Sequence, residues 1–431
     1  QWEARGQVRF KQLRGFSRLF PIPMYIDETS VKFNTNNMTL SGARLHLGKS
    51  DFTLSGELSD IRRAMLRGGK LKANFELESD LIDCNQLMLA IGKGLQFSDQ
   101  LASNSVGAFS EDSISVLETD HLLANTVDSV ATDSISQLFV VPKFLDLTLH
   151  TNAKKIDFKD LKLEDVKGEV VIRDQSINLS DLCMSSNIGS GDLTMVYTTK
   201  TDQEATMGFE LSLNDILVER LISLFPDIDT LVPMLRSFEG MVDCQMTATC
   251  KADSTMSVLL PSVNASCYLS GKNMVLLDGE TFTEISKTLM FKNKKRNMID
   301  SIAVDLAIHD NKIEVFPFLV EMDRYKVAVG GTHNLDMTFD YHLSVLKSPV
   351  PFKLGIDIKG NLDDFKFKIV KCKYKDFLKP TKQAELDSTR RNVREEIRET
   401  IRKQIREAAP ELGNSLSEIH PHTHGHVEES T

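Results

Sequence analysis

The sequence predicts a mostly β protein. We expect an elongated, curled antiparallel sheet of repeating hairpins with a groove-like apolar face, a few short helices and a long C-terminal helix. Apolar and polar residues alternate with a period of two in many short segments. These segments recur about every ten residues, with Gly, Asn and Asp between them, as in successive hairpins. Only a few segments carry the wider apolar spacing that is typical of helices.

The alternating segments each place one set of side chains on an apolar face and the other set in water. Leu147 and Leu149, for example, are separated by Thr148 and followed by His150. An antiparallel sheet with one solvated face produces this pattern, so we expect the apolar sets of successive strands to share one face. The residues that represent this face are Phe52, Leu54, Leu147, Leu149, Phe209, Leu211, Phe339, Tyr341 and Leu343.

A short motif of the form Gly-x-apolar recurs at Gly56, Gly168, Gly240 and Gly360. Glycine inside a strand pattern typically marks a bulge or a sharp bend where a strand begins. The spacing of the four motifs is irregular, so the sequence does not predict a strict solenoid repeat.

Three short segments have helical character. Ser59–Arg67 begins with capping residues and stops at two glycines. Asn214–Phe225 has an apolar stripe at helical spacing that ends before Pro226, and Thr281–Leu289 is a third candidate. We expect a helix at each of these places.

The longest predicted helix covers Gln383–Ala409, ahead of Pro410. Its apolar residues recur every four positions, which gives a narrow, slanted stripe surrounded by Arg and Glu. Such a helix could cap the end of the sheet, pair with a partner helix or touch a membrane surface. The stripe consists of Val393, Ile397, Ile401 and Ile405.

One segment interrupts the β pattern. Between Gln96 and Gln137 there is no Lys or Arg, and acidic residues accumulate among many serines, which predicts a flexible insertion. The chain therefore divides into an N-terminal β block (1–95), this acidic insertion (96–137), a larger β region (138–378), the charged helix (379–410) and a disordered His-rich tail (411–431).

Composition limits the functional classes. The 431 residues carry a formal net charge of −10 with a pI near 5.6, which argues against nucleic acid as a partner because phosphate binding requires clustered Lys and Arg. No apolar stretch reaches the length of about 18 residues that a membrane-spanning helix requires. The chain begins at Gln1 without a leader pattern, and we expect it to be a fragment that lacks an N-terminal membrane anchor.

The sequence gives no sign of catalytic chemistry. It lacks the motifs of nucleotide-binding loops, serine hydrolases, zinc proteases and EF-hands. Cys244 and Cys250 fall on the apolar parity of one strand, as buried free cysteines do. The tail His420–His426 could bind a transition metal loosely, although a disordered polar tail explains it equally well. We predict a protein that is not an enzyme, with no catalytic residue, no cofactor and no metal site.

Extended parts of the chain resemble the AsmA-like family, which includes TamB-related proteins of the bacterial envelope. The resemblance is seen in KLEDVKGEVVIRDQSINLSDL (Lys162–Leu182) and in IDIKGNLDDFKFKI (Ile356–Ile369), which is similar to the family's closing strand pair. It covers most of residues 25–95 and 140–370. The motifs are degenerate β patterns, and their specificity comes from their order and extent.

The resemblance implies a periplasmic protein, anchored to the inner membrane through an N-terminal helix that this chain lacks, with a role in outer-membrane biogenesis. It also implies phospholipid or membrane as the partner, with the nine representative residues lining a lipid groove. A scaffold that assists outer-membrane protein assembly is the alternative. A polysaccharide-active β-solenoid enzyme is a third alternative. It would require convergent carboxylates and exposed aromatic residues, and Trp2 is the only tryptophan; a polar cleft with paired acids about 5–10 Å apart would favour it.

Overall fold

A computed structural model gives the structure of the chain. It describes residues 5–17, 20–27, 29–90, 93, 138–158, 161–186, 189–201, 203–224, 238–276, 297–322, 325–334, 338–348, 353–361 and 364–408. The acidic segment 96–137, the predicted helix Thr281–Leu289 and the tail 411–431 lie outside these residues.

The described chain is dominated by strands that belong to one sheet, which confirms the predicted mostly β, antiparallel fold class. The strands are β1 (Arg5–Phe10), β2 (Leu13–Ser17), β3 (Phe20–Ile26), β4 (Thr29–Asn34), β5 (Met38–Leu47), β6 (Ser50–Ser59), β7 (Leu71–Ser79), β8 (Ile82–Asp83), β9 (Leu145–Phe158), β10 (Leu161–Arg173), β11 (Ser176–Ser186), β12 (Gly189–Thr198), β13 (Glu204–Leu217), β14 (Phe238–Glu239), β15 (Met241–Asp253), β16 (Asn264–Leu276), β17 (Asn297–His309), β18 (Lys312–Met322), β19 (Tyr325–Asn334), β20 (Phe339–Lys347), β21 (Leu354–Gly360) and β22 (Phe365–Val370).

Most strands pair with the next strand along the chain, so the sheet is a ladder of antiparallel hairpins. At one end β1 pairs with β4 and β2 with β3, and both β3 and β4 pair with β5. From β5 the ladder continues to β22 in chain order, with two adjustments. β7 and β8 both pair with β9 in parallel, and the short β14 precedes β15 along the same side of β16. The parallel pairing makes the N-terminal block and the larger β region one continuous sheet.

Bulges interrupt the register at several places along the ladder. The register shifts between Leu179 and Leu182 in β11, and between Leu213 and Ile216 in β13. Asp181 and Asp215 lie at these shifts with φ of 50° and 56°, a left-handed conformation that Asp tolerates better than most residues. Because one extra residue is inserted, apolar residues three apart stay on the same face of the strand. Bulges also bend a strand and increase its local twist.

Three of the four Gly-x-apolar motifs lie at a bulge or at the start of a strand, as the sequence predicts, and the fourth lies at the end of a strand. Gly56 sits opposite a register shift of β5, with φ of +151°. Gly168 lies within a double shift of β10, Gly240 separates β14 from β15, and Gly360 is the last residue of β21. A Cβ on Gly56 would lie 2.1 Å from the carbonyl oxygen of Asn74. Only glycine therefore fits this position without displacing the backbone.

The short helices agree with the predictions in part. The predicted helix Ser59–Arg67 is present as Ile61–Arg67 and ends at Gly68, but Asp60 caps it without a side-chain hydrogen bond. The prediction of a helix over Asn214–Phe225 is wrong for its first four residues, which belong to β13. A helix begins only at Val218 and extends to Leu224. The bulge in β13 explains the error, because it spaces Leu213 and Ile216 by three residues, as a helix would. Residues 84–90 are also helical, and Leu260–Ser262 forms a 3₁₀ turn.

The C-terminal helix extends over Pro380–Ala408 and lies across the polar face of the sheet, over β11–β16. The proposed cap on the end of the sheet is therefore not what the structure shows. Ile397, Ile401 and Ile405 are buried against Val196 of β12. Gly208 of β13 leaves room for this contact, since a Cβ there would lie 3.2 Å from Ile401 Cγ1.

Ion pairs between the helix and the sheet fix the position of the helix. Arg390 and Arg394 both reach the carboxylate of Asp305 in β17, with N–O distances of 3.2 and 3.4 Å. Arg398 pairs with Glu210 of β13. Burial raises the pKa of Asp305, and the two guanidinium groups act in the opposite direction. Because an unpaired buried carboxylate is costly, Asp305 favours this one placement of the helix. No local sequence pattern indicates these contacts, because Asp305 and Glu210 lie far from the helix along the chain.

Candidate functional site

The structure places all nine representative apolar residues on one face of the sheet, which we call the apolar face. Residues paired across neighbouring strands point to the same side, so the register can be followed from strand to strand. Leu54 pairs with Leu77 of β7, and Leu149 of β9 pairs with Phe75 of the same strand. From Leu149 the row continues through Val170, Leu179 and Met195 to Phe209.

A second row connects Leu211 with the far edge of the sheet. The row crosses the sheet from β12 to β22, and its side chains are apolar apart from the hydroxyl group of Tyr341; one position is a glycine. Its members, strand by strand, are Leu193, Leu211, Met246, Cys267, Leu306, Val315, Gly331, Tyr341, Ile358 and Phe367.

Exposure varies along this face. Of the nine representative residues, Leu211 is buried and the other eight are partly exposed. Between β13 and β18 the apolar face forms a buried cluster that includes Cys244, Ile299 and Ile313. At β22 it becomes exposed again, with 42% of Phe367 and 62% of Ile369 accessible. Further buried clusters lie at β7–β11 and where residues 138–141 pack on β12–β15. The face is therefore packed over most of its length and becomes accessible at β22.

A cavity of about 410 Å³ opens on the apolar face beside the helix Ile61–Arg67. Its size falls within the range of roughly 300–1,000 Å³ that is usual for small-molecule sites. Phe144 at its rim is 63% exposed, and the Phe144 carbonyl accepts a hydrogen bond from the Leu71 backbone N–H at 2.8 Å. The lining is almost entirely apolar and consists of Met38, Leu58, Ile61, Ala64, Gly69, Leu71 and Phe144. Apolar linings of this kind suit hydrocarbon better than a polar substrate.

Two cysteines meet within the buried part of the apolar face. The Sγ atoms of Cys244 and Cys267 are 3.9 Å apart, and both residues are buried free thiols. The hydrogen bond with Cys244, together with burial, raises the pKa of Cys267. Neutral thiols of this kind are poor nucleophiles, so the pair acts as apolar core. The prediction that Cys244 is a buried free cysteine is confirmed, and Cys250 on the same strand is partly buried.

A polar cluster around His342 lies on the opposite face of the sheet. His342 Nδ1 lies 2.6 Å from Asp357 Oδ1, and its Nε2 lies 3.0 Å from Ser344 Oγ. Nε2 also accepts a hydrogen bond from the Lys373 N–H at 3.0 Å, so the ring proton belongs on Nδ1. The order Ser–His–Asp is that of a hydrolase triad.

The environment of this cluster gives it a structural role. Ser344 has no exposed surface, and its Oγ accepts a hydrogen bond from the Tyr374 N–H at 2.9 Å. A substrate therefore has no path to the hydroxyl group. The two backbone hydrogen bonds instead fasten the segment after β22 onto the polar face. Sequence spacing alone gave no signal for this cluster, because His342 and Asp357 lie on different strands.

Within the residues that the structure describes, no group of three or more His, Cys, Asp and Glu side chains is arranged to hold a metal ion. No helix in the described part of the chain is both long enough and apolar enough to cross a membrane. Comparisons with family models, curated proteins and solved structures give no match for this chain.

Proposed function

We propose that the apolar face binds the acyl chains of phospholipids, and that the protein moves or holds lipid in a bacterial cell envelope. The observation that carries this proposal is the continuity of the apolar face from β5 to β22. The likeness to AsmA-like sequences agrees with it and supplies the expected setting, a periplasmic protein held at the inner membrane that contributes to outer-membrane biogenesis.

The physical argument rests on what such a surface can recognise. A row of side chains that are nearly all aliphatic or aromatic offers few hydrogen-bonding groups, so it discriminates poorly between polar headgroups. It can remove acyl chains from water, which stabilises binding by about 25 cal/mol per Å² of apolar surface buried. Because equivalent rows run side by side across the strands, a bound chain could shift from one strand to the next with little change in contact.

The cavity beside the helix Ile61–Arg67 supports the same proposal. It is an accessible part of the apolar face. Phe144 in its lining is 63% exposed, and Leu66 on the adjacent helix is 72% exposed. Arg62 and Arg63 are exposed on the same helix. Apolar lining below and guanidinium groups nearby suit an amphiphile that has an anionic head and a hydrocarbon tail.

Site-specific photocrosslinking tests this proposal on the two faces of one strand. A photoreactive amino acid is placed at Leu149, on the apolar face, or at Thr148, the adjacent residue on the polar face; both are partly buried. The full chain is incubated with phosphatidylglycerol and irradiated. We expect lipid adducts at Leu149 and few at Thr148, and equal labelling at the two positions would refute acyl binding by the apolar face.

A second measurement identifies bound lipid without a probe. Native mass spectrometry with lipid extraction is applied to protein purified gently from a periplasmic preparation. Several phospholipids per chain would support a face that carries acyl chains, and a lipid-free, monodisperse protein would contradict it.

The second candidate function is a scaffold that assists assembly of outer-membrane proteins. The buried middle of the apolar face favours it, because side chains such as Cys244 and Ile299 already have protein neighbours and cannot meet lipid. The edge strands could then bind a protein partner by strand addition. A lipid-free protein that captures unfolded outer-membrane strands would favour this function over lipid handling.

A further inference from the structure

The last strand and the segment after it form a dense cationic surface on an otherwise acidic protein. Residues 365–375 contain five lysines and no acidic residue, whereas the chain as a whole has a net charge of −10. All five lysines are exposed. Within the described residues, none of them forms an ion pair with a carboxylate. They are Lys366, Lys368, Lys371, Lys373 and Lys375.

The two lysines of β22 have different partners across the strand pair. Lys368 lies opposite Asp357, whose carboxylate is 2.6 Å from His342 Nδ1. Lys366 lies directly opposite Lys359 on β21, and like charges at such positions are destabilising. Lys359 is itself paired with Asp340, 2.6 Å away. The pKa of Asp376 is lowered, chiefly by its hydrogen bond with Lys379 and further by Lys375 and Lys353, as expected in a region of positive potential.

Apolar side chains accompany the lysines at the same edge. Phe367 and Ile369, on the other side of β22, are 42% and 62% exposed, and Leu378 is 51% exposed. Phe367 is also the last member of the apolar row that begins at Leu193. Large apolar groups beside exposed cations match the chemistry of the boundary between lipid headgroups and acyl chains.

A second copy of the chain does not fit this edge. The opposite end of the sheet is basic as well, because residues 5–17 contain four cationic residues and no acidic one. Joining β22 of one copy to β1 or β2 of the next would bring two cationic edges together. The charge of both edges is therefore complementary to an anionic partner.

We propose that β22 and the adjoining segment to Leu378, the cationic edge, form a docking surface for an anionic phospholipid bilayer. The lysines contact the headgroups while Phe367 and Ile369 enter the acyl boundary. An acidic protein strand would satisfy the lysines, but it would leave these two side chains in water unless it also carried apolar residues. The surface would work whether or not the apolar face carries lipid, so it does not depend on the proposed function.

The test is sedimentation of the full chain with vesicles of defined composition. One set contains phosphatidylcholine with 30% phosphatidylglycerol, and the other contains phosphatidylcholine alone. Each lysine close to an anionic surface contributes about fivefold to binding, so Lys366→Gln together with Lys368→Gln should weaken binding about 25-fold. The matched control is Lys162→Gln together with Lys167→Gln, two exposed lysines of β10 with the same change in charge.

We expect wild-type protein to bind only the anionic vesicles, with affinity that falls as salt rises and with no loss in the control. Ile369→Ser should weaken binding at low and high salt alike, since it removes an apolar contact. Equal binding to neutral vesicles, or equal loss in the control, would overturn the proposal. So would binding of a polyglutamate peptide in the absence of any vesicle binding, which would point to an acidic protein partner.

Discussion

The attachment of the C-terminal helix to the polar face makes a quantitative prediction for Ile401→Ala. Ile401 is 3% exposed and packs between Val196 and Gly208. The substitution removes three carbon atoms from a buried contact, which typically costs about 2–5 kcal/mol. We expect about 3 kcal/mol here. That loss would increase the population with an undocked helix by about 150-fold.

Hydrogen–deuterium exchange of peptides that cover residues 393–405 measures this population directly. The control is Lys403→Ala, an exposed position two residues away on the same helix with little difference in helix propensity. We expect exchange in Ile401→Ala to be one to two powers of ten faster than in the wild type, because residual helix still gives partial protection. The control should exchange at the wild-type rate. Equal exchange in both variants would refute the view that the isoleucine stripe holds the helix on the sheet.

Three further predictions concern single residues. Gly56→Ala should lower the midpoint of thermal unfolding, because φ of +151° and the carbonyl oxygen of Asn74 leave no room for a Cβ. An unchanged midpoint would contradict the register of β6. His342→Leu should lower the free energy of unfolding in denaturant by about 2–3 kcal/mol, because it leaves Asp357 and the Lys373 N–H without their partner. An unchanged free energy would contradict the structural role of the cluster. Burial and nearby carboxylates raise the pKa of Cys84 to about 11. Alkylation of Cys84 by iodoacetamide should therefore be slow near pH 8 and become faster as the pH approaches this pKa. Fast alkylation near pH 8 would contradict the raised pKa.

The strands and the shared apolar face could be predicted because the relevant signal is local. Phe209 and Leu211 are two residues apart, and any extended strand places such residues on one side. The prediction requires no knowledge of which strands are neighbours. Hairpins then bring successive apolar sets together, since short connections make consecutive strands pair.

Bulges mark the limit of this local reasoning. The spacing of three between Leu213 and Ile216 is common to a helix and to a bulged strand, and the sequence cannot distinguish them. Pairing of Ile216 with Val242 decides in favour of the strand. This pairing involves β15, which is distant in sequence, so no local pattern could have revealed it.

The position of the C-terminal helix was beyond sequence analysis for a similar reason. Its stripe of isoleucines predicts that one side is buried, but not against which surface. Arg398 and Glu210, which fix that surface, are 188 residues apart. The cavity beside the helix Ile61–Arg67 likewise depends on the parallel pairing of β7 with β9, which joins Leu71 to Leu145 across the acidic segment.

The place of the helix also constrains what can cover the apolar face. The C-terminal helix is the longest amphipathic element in the described chain, and its apolar stripe is already buried against Val196 on the polar face. It is therefore not available to shield the other side of the sheet. Much of the apolar face is shielded by protein, but Phe144 beside β9 and Ile369 in the last strand are 63% and 62% exposed. These two exposed places, which no part of the described chain covers, support the proposal that lipid meets the apolar face there.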